Sequence, residues 1–333
     1  MVPPLVTLAP SADGTAAAAG PGLIADIGGT NARFALVGPD GVAHDSRTLL
    51  CADYEGPTAA ARAYLAEVRP PAAPVRGAFC VACPVTGDAV ALTNNPWRFS
   101  VEATRQALGL DRLTVVNDFV ANALAVPLLT DADRVRVGGG ASVPGMPVAV
   151  LGPGTGLGVA LLVPTGDGRV VPVATEGGHV TMPATDAREA AVLERLARRF
   201  DHVSAERVIS GAGLVNLYQA LCGVEGVEPA AGEAAEIGRR ALDGEDDVCL
   251  RALHLMFGML GTVAGNLALS SGALGGVTIM GGIVPRYLDL FRASPFRAKF
   301  EAKGRFRDYL AAIPVDVVTH RYPAFVGLAG LVV

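Results

Sequence analysis

A chain of 333 residues is longer than one simple core needs, since domains usually hold about 100–200 residues, so two lobes with a cleft between them are expected. The 51% hydrophobic and 18% charged residues, with 41 glycines and 23 prolines, describe a loop-rich globular protein and exclude a disordered chain. The net charge of −5, and 25 arginines and two lysines that form no basic tract, supply no field for a polyanion, so nucleic acid is not an expected partner.

Residues 1–21 lack a positive amino-terminal region and are broken by prolines, which predicts a flexible tail and not a secretory signal. Order is expected from Leu23, where an apolar run meets Gly28, Gly29, Thr30 and Asn31 and leaves through a second apolar run, the pattern of a β-hairpin. Helices are predicted at 57–68 and at 101–108, the latter with Ser100 as N-cap and Gly109 as stop. A buried strand at 113–116 ends in Asn117 and Asp118, and a helix over 119–126, with Asp118 placed to cap it, is stopped by Pro127. The Gly/Pro-rich stretch 137–147 reads as a connector between lobes. Beyond it the strand–turn–strand pattern recurs around Gly154, Thr155 and Gly156. Amphipathic or apolar helices follow at 188–200, 230–242 and 248–269, then a short strand at 277–280 closed by Gly281 and Gly282. The most apolar stretch, 255–265, is shorter than the roughly 20 residues a bilayer requires, so a buried helix is expected and a membrane is not. The apolar end, 324–333, is expected to pack back on the first lobe.

Five scattered cysteines fit idle thiols in a reducing cytoplasm, and the single C-x-x-C spacing of Cys80 and Cys83 is a weak metal or redox signal without a second pair.

The glycine segments carry more information. Phosphate oxygens are gripped by backbone N–H groups, and glycine allows both the close approach and the unusual dihedrals involved. Four segments qualify as loops of this kind: Gly28 to Asn31, Gly154 to Gly158, Gly211 to Gly213, and Gly281 with Gly282. No G-x-x-x-x-G-K-[ST] or G-x-G-x-x-G string exists, which leaves neither a P-loop nor a dinucleotide-binding unit. Phosphate held between two turns remains, with hydroxyl donors from Thr30 and Thr155 and with Asp26 suited to a hydrated Mg2+. Asn117 and Asp118 end a strand, Glu176 and His179 stand three apart beside Gly177 and Gly178, and Glu206 precedes another apolar run, all of them groups that donate or accept hydrogen bonds. Any one of these alone would pass for a solvated or structural side chain. A carboxylate such as Asp118 can take the proton of an alcohol as it attacks a phosphoryl group.

The string from Leu23 to Leu36 resembles the first phosphate motif of the bacterial glucokinases, within the actin-like, Hsp70-like and sugar-kinase ATPase superfamily. The likeness continues in order through Thr93 to Trp97, Val116 to Phe119, Gly152 to Gly158, Glu176 to Val180 and Glu206 to Tyr218. It implies an α/β, two-lobed actin-like ATPase fold, related to ribonuclease H, with duplicated mixed β-sheet domains: a small one at 22–127 plus 319–333 and a large one at 128–318. The reaction it implies is phosphorylation of glucose by ATP with Mg2+, with Asp118 as base, in a cytoplasmic homodimer. By the same resemblance Asn117, Asp118, Glu176, His179 and Glu206 contact the sugar, Asn94 and Asn95 sit at its rim, and Gly211, Gly213, Gly281 and Gly282 flank the adenosine. A kinase for another hexose or amino sugar is the nearest rival, yet the cysteine-rich zinc motif typical of one such group does not follow His179. A non-catalytic sugar-responsive regulator is disfavoured because the acidic, proline-broken start has no room for a basic helix-turn-helix.

Overall fold

The computed structural model describes residues 20–333; the segment read as a flexible tail lies, up to residue 19, outside the described residues. In chain order the first elements are β1 (Gly22–Ile27), β2 (Asn31–Val37), β3 (Ala43–Leu50), α1 (Pro57–Val68), β4 (Arg76–Val81), β5 (Ala89–Ala91), β6 (Arg98–Ser100), α2 (Val101–Ala107), β7 (Arg112–Asn117) and α3 (Asp118–Ala125). Next come β8 (Arg134–Gly138), β9 (Val148–Pro153), β10 (Leu157–Pro164), β11 (Val170–Thr175), α4 (Ala187–Ala197), α5 (Gly211–Glu225), α6 (Ala234–Asp243), α7 (Asp247–Ser271) and β12 (Gly276–Ile279). Four short helices, α8 (Ile283–Arg286), α9 (Leu288–Ala293), α10 (Phe296–Glu301) and α11 (Arg307–Ala312), precede β13 (Val315–Val318) and α12 (Pro323–Ala329). Among the described residues the chain divides into two compact units, one ending at Ala132 and regaining Leu162–Ala174 and His320–Val333, the other made of Asp133–Leu161 and Thr175–Thr319.

In the first unit five strands lie in the order β3-β2-β1-β4-β7. β1 and β2 form the expected antiparallel hairpin, while β1, β4 and β7 run parallel. A parallel strand covered on both faces reads as an unbroken apolar run, and β1 shows why. Leu23, Ala25 and Ile27 join a core with Phe34, Phe79 and Tyr64 of α1, whereas Ile24 joins the opposite core of Ala78, Cys80, α3 and α12. The apolar carboxyl end does pack back on this unit: Ala324, Phe325 and Leu328 are buried against α3 and β1.

The second unit repeats the plan. Its strands β9, β12, β13 and β8 lie side by side in that order, with β9, β12 and β13 parallel and β8 an added antiparallel edge. One core gathers α4 to α7 with β9, β12 and β13. α7 is the one described helix long and apolar enough to cross a membrane, and it lies largely buried in this core. It is capped by Asp246, whose carboxylate accepts the N–H groups of Val248 and Cys249, and ended by left-handed Gly272.

Two expectations are corrected. The stretch 137–147 connects no lobes: it lies wholly inside the second unit, where Val135 and Arg136 pair with β13, and Gly140 and Val143 donate to Ala312 and Leu274. Glycines there turn the chain from one strand into the next. The segment Gly211 to Gly213 is not a loop but the first turn of α5, begun by Ser210, whose hydroxyl accepts the Gly213 N–H at 2.9 Å.

Candidate active site

Asp26, Asn117 and the glycine turns after β1, β9 and β12 stand at the carboxyl ends of parallel strands, where open α/β sheets bind ligands. Asp26 lies near the end of β1, in register with Arg33 across the hairpin and with Cys80 of β4. Arg33 donates to one carboxylate oxygen at 3.2 Å and the Cys80 thiol reaches the other at 3.5 Å. The turn beyond is closed by Gly28 N–H to the carbonyl of Asn31 at 2.9 Å. Asn94 lies over it, its carbonyl oxygen 3.0 Å from where a β-carbon on Gly29 would stand. Asn95 is buried, with its side-chain oxygen accepting the Trp97 N–H at 2.9 Å and its Nδ2 without a hydrogen-bond partner among the described residues.

Asn117 ends β7 and caps α3, and Asp118 is the first helical residue, not the cap. The Phe119 N–H is shared between the two side chains at 2.9 Å each, and the Asn117 amide donates to the carbonyl of Cys83 at 3.3 Å. Burial lifts the Asp118 carboxyl to about 6, opposed by the Phe119 N–H and reinforced by the charge of Asp26. A carboxylate that ionises near neutrality is suited to accept a proton from an alcohol. Burial likewise raises the Cys80 and Cys83 thiols, which stay protonated.

In the second unit the turn after β9 repeats the first, with Gly154 N–H donating to the Gly156 carbonyl at 2.8 Å. Gly211 N–H donates to the Gly154 carbonyl at 2.9 Å, and Gly281, with φ of 85°, closes on Pro153. The structure therefore brings Gly154, Thr155, Gly156, Gly211, Gly281 and Gly282 to one region, with Gly213 inside the turn that starts α5.

The same region meets the sugar-type groups through Glu206. Its carboxylate accepts the Leu157 N–H at 2.9 Å and leaves no room at Gly156, where a β-carbon would lie 2.4 Å from Oε2. Glu176 and His179 flank a 3-10 turn with their side chains 64% and 60% exposed and 3.9 Å apart, open to a ligand. Residue-type reasoning missed Arg33, Cys80 and His202, whose ring meets the His179 carbonyl at 3.0 Å. The hairpin register alone could have indicated Arg33.

Comparison with known proteins gives the family. The family model described as Glucokinase matches residues 23–333. The glucokinase of Paramagnetospirillum magneticum is 58% identical over 310 residues, covering 93% of this chain and 97% of the relative. That of Aromatoleum aromaticum is 51% identical, covering 93% of each. Among solved structures, the glucokinase of an Antarctic psychrotroph superposes with a TM-score of 0.85 at 39% identity, covering 94% of this chain and 98% of the other.

Proposed function

The chain belongs to the glucokinase family, and on that premise we propose that it moves the terminal phosphate of ATP onto a glucose hydroxyl with Asp118 as general base. The two-lobed actin-like ATPase fold of the family is the fold of this chain. One observation carries the assignment of roles: Asp118 is the residue that passes from β7 into α3, buried enough to titrate near pH 6 and placed at the strand ends that also present Asp26 and the first turn. Its carboxylate takes the hydroxyl proton as the oxygen attacks the phosphoryl group in line. Asn117, Glu176, His179 and Glu206 orient the sugar, with Asn94 at the rim. The amides of 28–31 and 154–156 hold phosphate oxygens, and Gly211, Gly281 and Gly282 lie beside the nucleotide.

Mg2+ fits the donor set. Among the described residues no group of three or more His, Cys, Asp or Glu could cage a metal, whereas Asp26 offers a partly exposed carboxylate beside the first turn. That suits an ion held mainly by nucleotide phosphates and water, which when bound neutralises charge on the transferred group. We also propose a cytoplasmic homodimer, a reading that rests on the family likeness and on five free, buried cysteines.

A coupled ADP-release assay across a panel of hexoses tests the whole reading. Glucose is expected to give the highest kcat/KM. No turnover on any hexose would remove the kinase assignment, and a clear preference for another sugar would remove glucose alone.

A further inference from the structure

The two segments that carry the second unit's sugar-type groups, 176–182 and 202–206, are stitched together. Glu206 N–H donates to the Gly178 carbonyl at 2.9 Å, Ala205 N–H to Val180 at 2.8 Å and Met182 N–H to Val203 at 3.0 Å, with Thr181 and Ser204 forming an antiparallel bridge. These are backbone bonds, indifferent to side-chain identity. A fourth differs in kind: His202 Nε2 lies 3.0 Å from the carbonyl oxygen of His179. A carbonyl only accepts, so Nε2 carries the hydrogen. The bond lands on the residue whose own imidazole faces outward from a short turn closed by His179 N–H to the Glu176 carbonyl at 2.9 Å. His179, His202 and Glu206 also line one cavity of about 490 Å³.

We propose that His202 is a positioning residue for sugar recognition. By donating Nε2–H to the His179 carbonyl it fixes the 176–179 turn, so that the His179 imidazole and the Glu176 carboxylate meet the sugar hydroxyls in one orientation. The proposal rests on the reading of Glu176, His179 and Glu206 as sugar contacts. The backbone bonds hold the middle of the turn at Gly178 and its exit at Val180, while the carbonyl of His179 itself is met by His202; a misplaced hydrogen-bonding pair binds its ligand weakly.

The test is steady-state kinetics with calorimetric glucose binding on the full chain, comparing wild type, His202→Ala, His202→Gln, His202→Phe and His179→Ala. Removal of one neutral hydrogen bond is expected to raise glucose KM and Kd about tenfold in His202→Ala and His202→Phe, with kcat and ATP KM within about twofold of wild type. His202→Gln, whose amide can donate to the same carbonyl, should recover most of the loss. The Phe variant keeps the ring volume without the donor, so it carries the comparison if the Ala variant fails to fold. If His179→Ala weakens glucose binding while His202→Ala and His202→Phe keep wild-type glucose KM, the His202 proposal alone is overturned. If His179→Ala binds glucose normally, the sugar-site reading fails and takes the proposal with it. Equal losses for both substrates, or a loss that Gln does not relieve, show a general structural role and overturn it as well.

Discussion

In the role proposed for it, Asp118 has to be two things at once: a base that takes a proton, and the first residue of a helix that must start in the right place. The shared Phe119 N–H serves both, fixing the rotamers of Asn117 and Asp118 at 2.9 Å each. Burial then sets the chemistry. Since the folded carboxyl ionises at about 6, above its ordinary 3.8, the folded protein holds a proton that the unfolded chain has released between those values. Stability therefore falls as pH rises through that window, and above it the buried charge costs its full amount. Two outcomes follow for Asp118→Asn. Turnover should drop by about 10²–10⁴-fold, the usual contribution of a general base, with glucose binding retained in calorimetry. The variant should also melt higher than wild type at pH 7.5, by about 2 °C or more, and the gap should close near pH 4. Wild-type kcat/KM should lose activity below about pH 6. Near-normal turnover would remove the base assignment, and a lower melting point at neutral pH would contradict the role of burial.

Among the elements, the turn after β9 is bonded to the carboxylate of a sugar-type group, whereas the turn after β1 meets only the backbone and β-carbon of Asn94 among the candidate sugar residues described. Glu206 accepts the Leu157 N–H and crowds Gly156, so its carboxylate braces the phosphate-type turn while remaining a candidate hydroxyl acceptor. Among the described residues the Glu176 carboxylate has no such second duty, its one ion pair being with His179 at 3.9 Å. Glu176→Ala should therefore raise glucose KM by about tenfold or more and leave ATP KM alone, whereas Glu206→Ala should raise both, glucose the more. Equal losses for the two substrates in Glu176→Ala would count against its place in the sugar pocket. The hairpins and the helices at 57–68 and 101–108 were legible because glycine turns and caps punctuate apolar runs of clear period. α5 was hidden by its own start, since Gly211 and Gly213 carry a loop's composition and only the Ser210 cap marks the helix. Short buried strands such as β13 lack the length for a period to show. The site residues were readable as types, but their partners depend on register. Cys80 meets Asp26, and His202 meets His179, only once strands and segments are paired.

For the molecule as a whole, the order of the chain and the boundaries of its units differ: the last residues, His320–Val333, complete the first unit. α12 closes the face of that unit's sheet on which Asp26 and Cys80 lie, and it packs against α3, the helix headed by Asp118. The approach is close at one point. A β-carbon on Gly327 would stand 1.9 Å from the carbonyl oxygen of Ala121, so backbone must move to admit one. Gly327→Ala should thus destabilise the first unit by about 2–4 kcal/mol and displace α3, lowering kcat more than it raises either KM. The second unit has its own core, built from α4 to α7 and the parallel strands, with no residue of α12 in it. Calorimetry should accordingly show the first unit's transition shifting down while the second unit's stays in place. A single transition moving as a whole would show that the two units melt together, and an unchanged kcat would show that α12 supports the sheet without setting the position of Asp118.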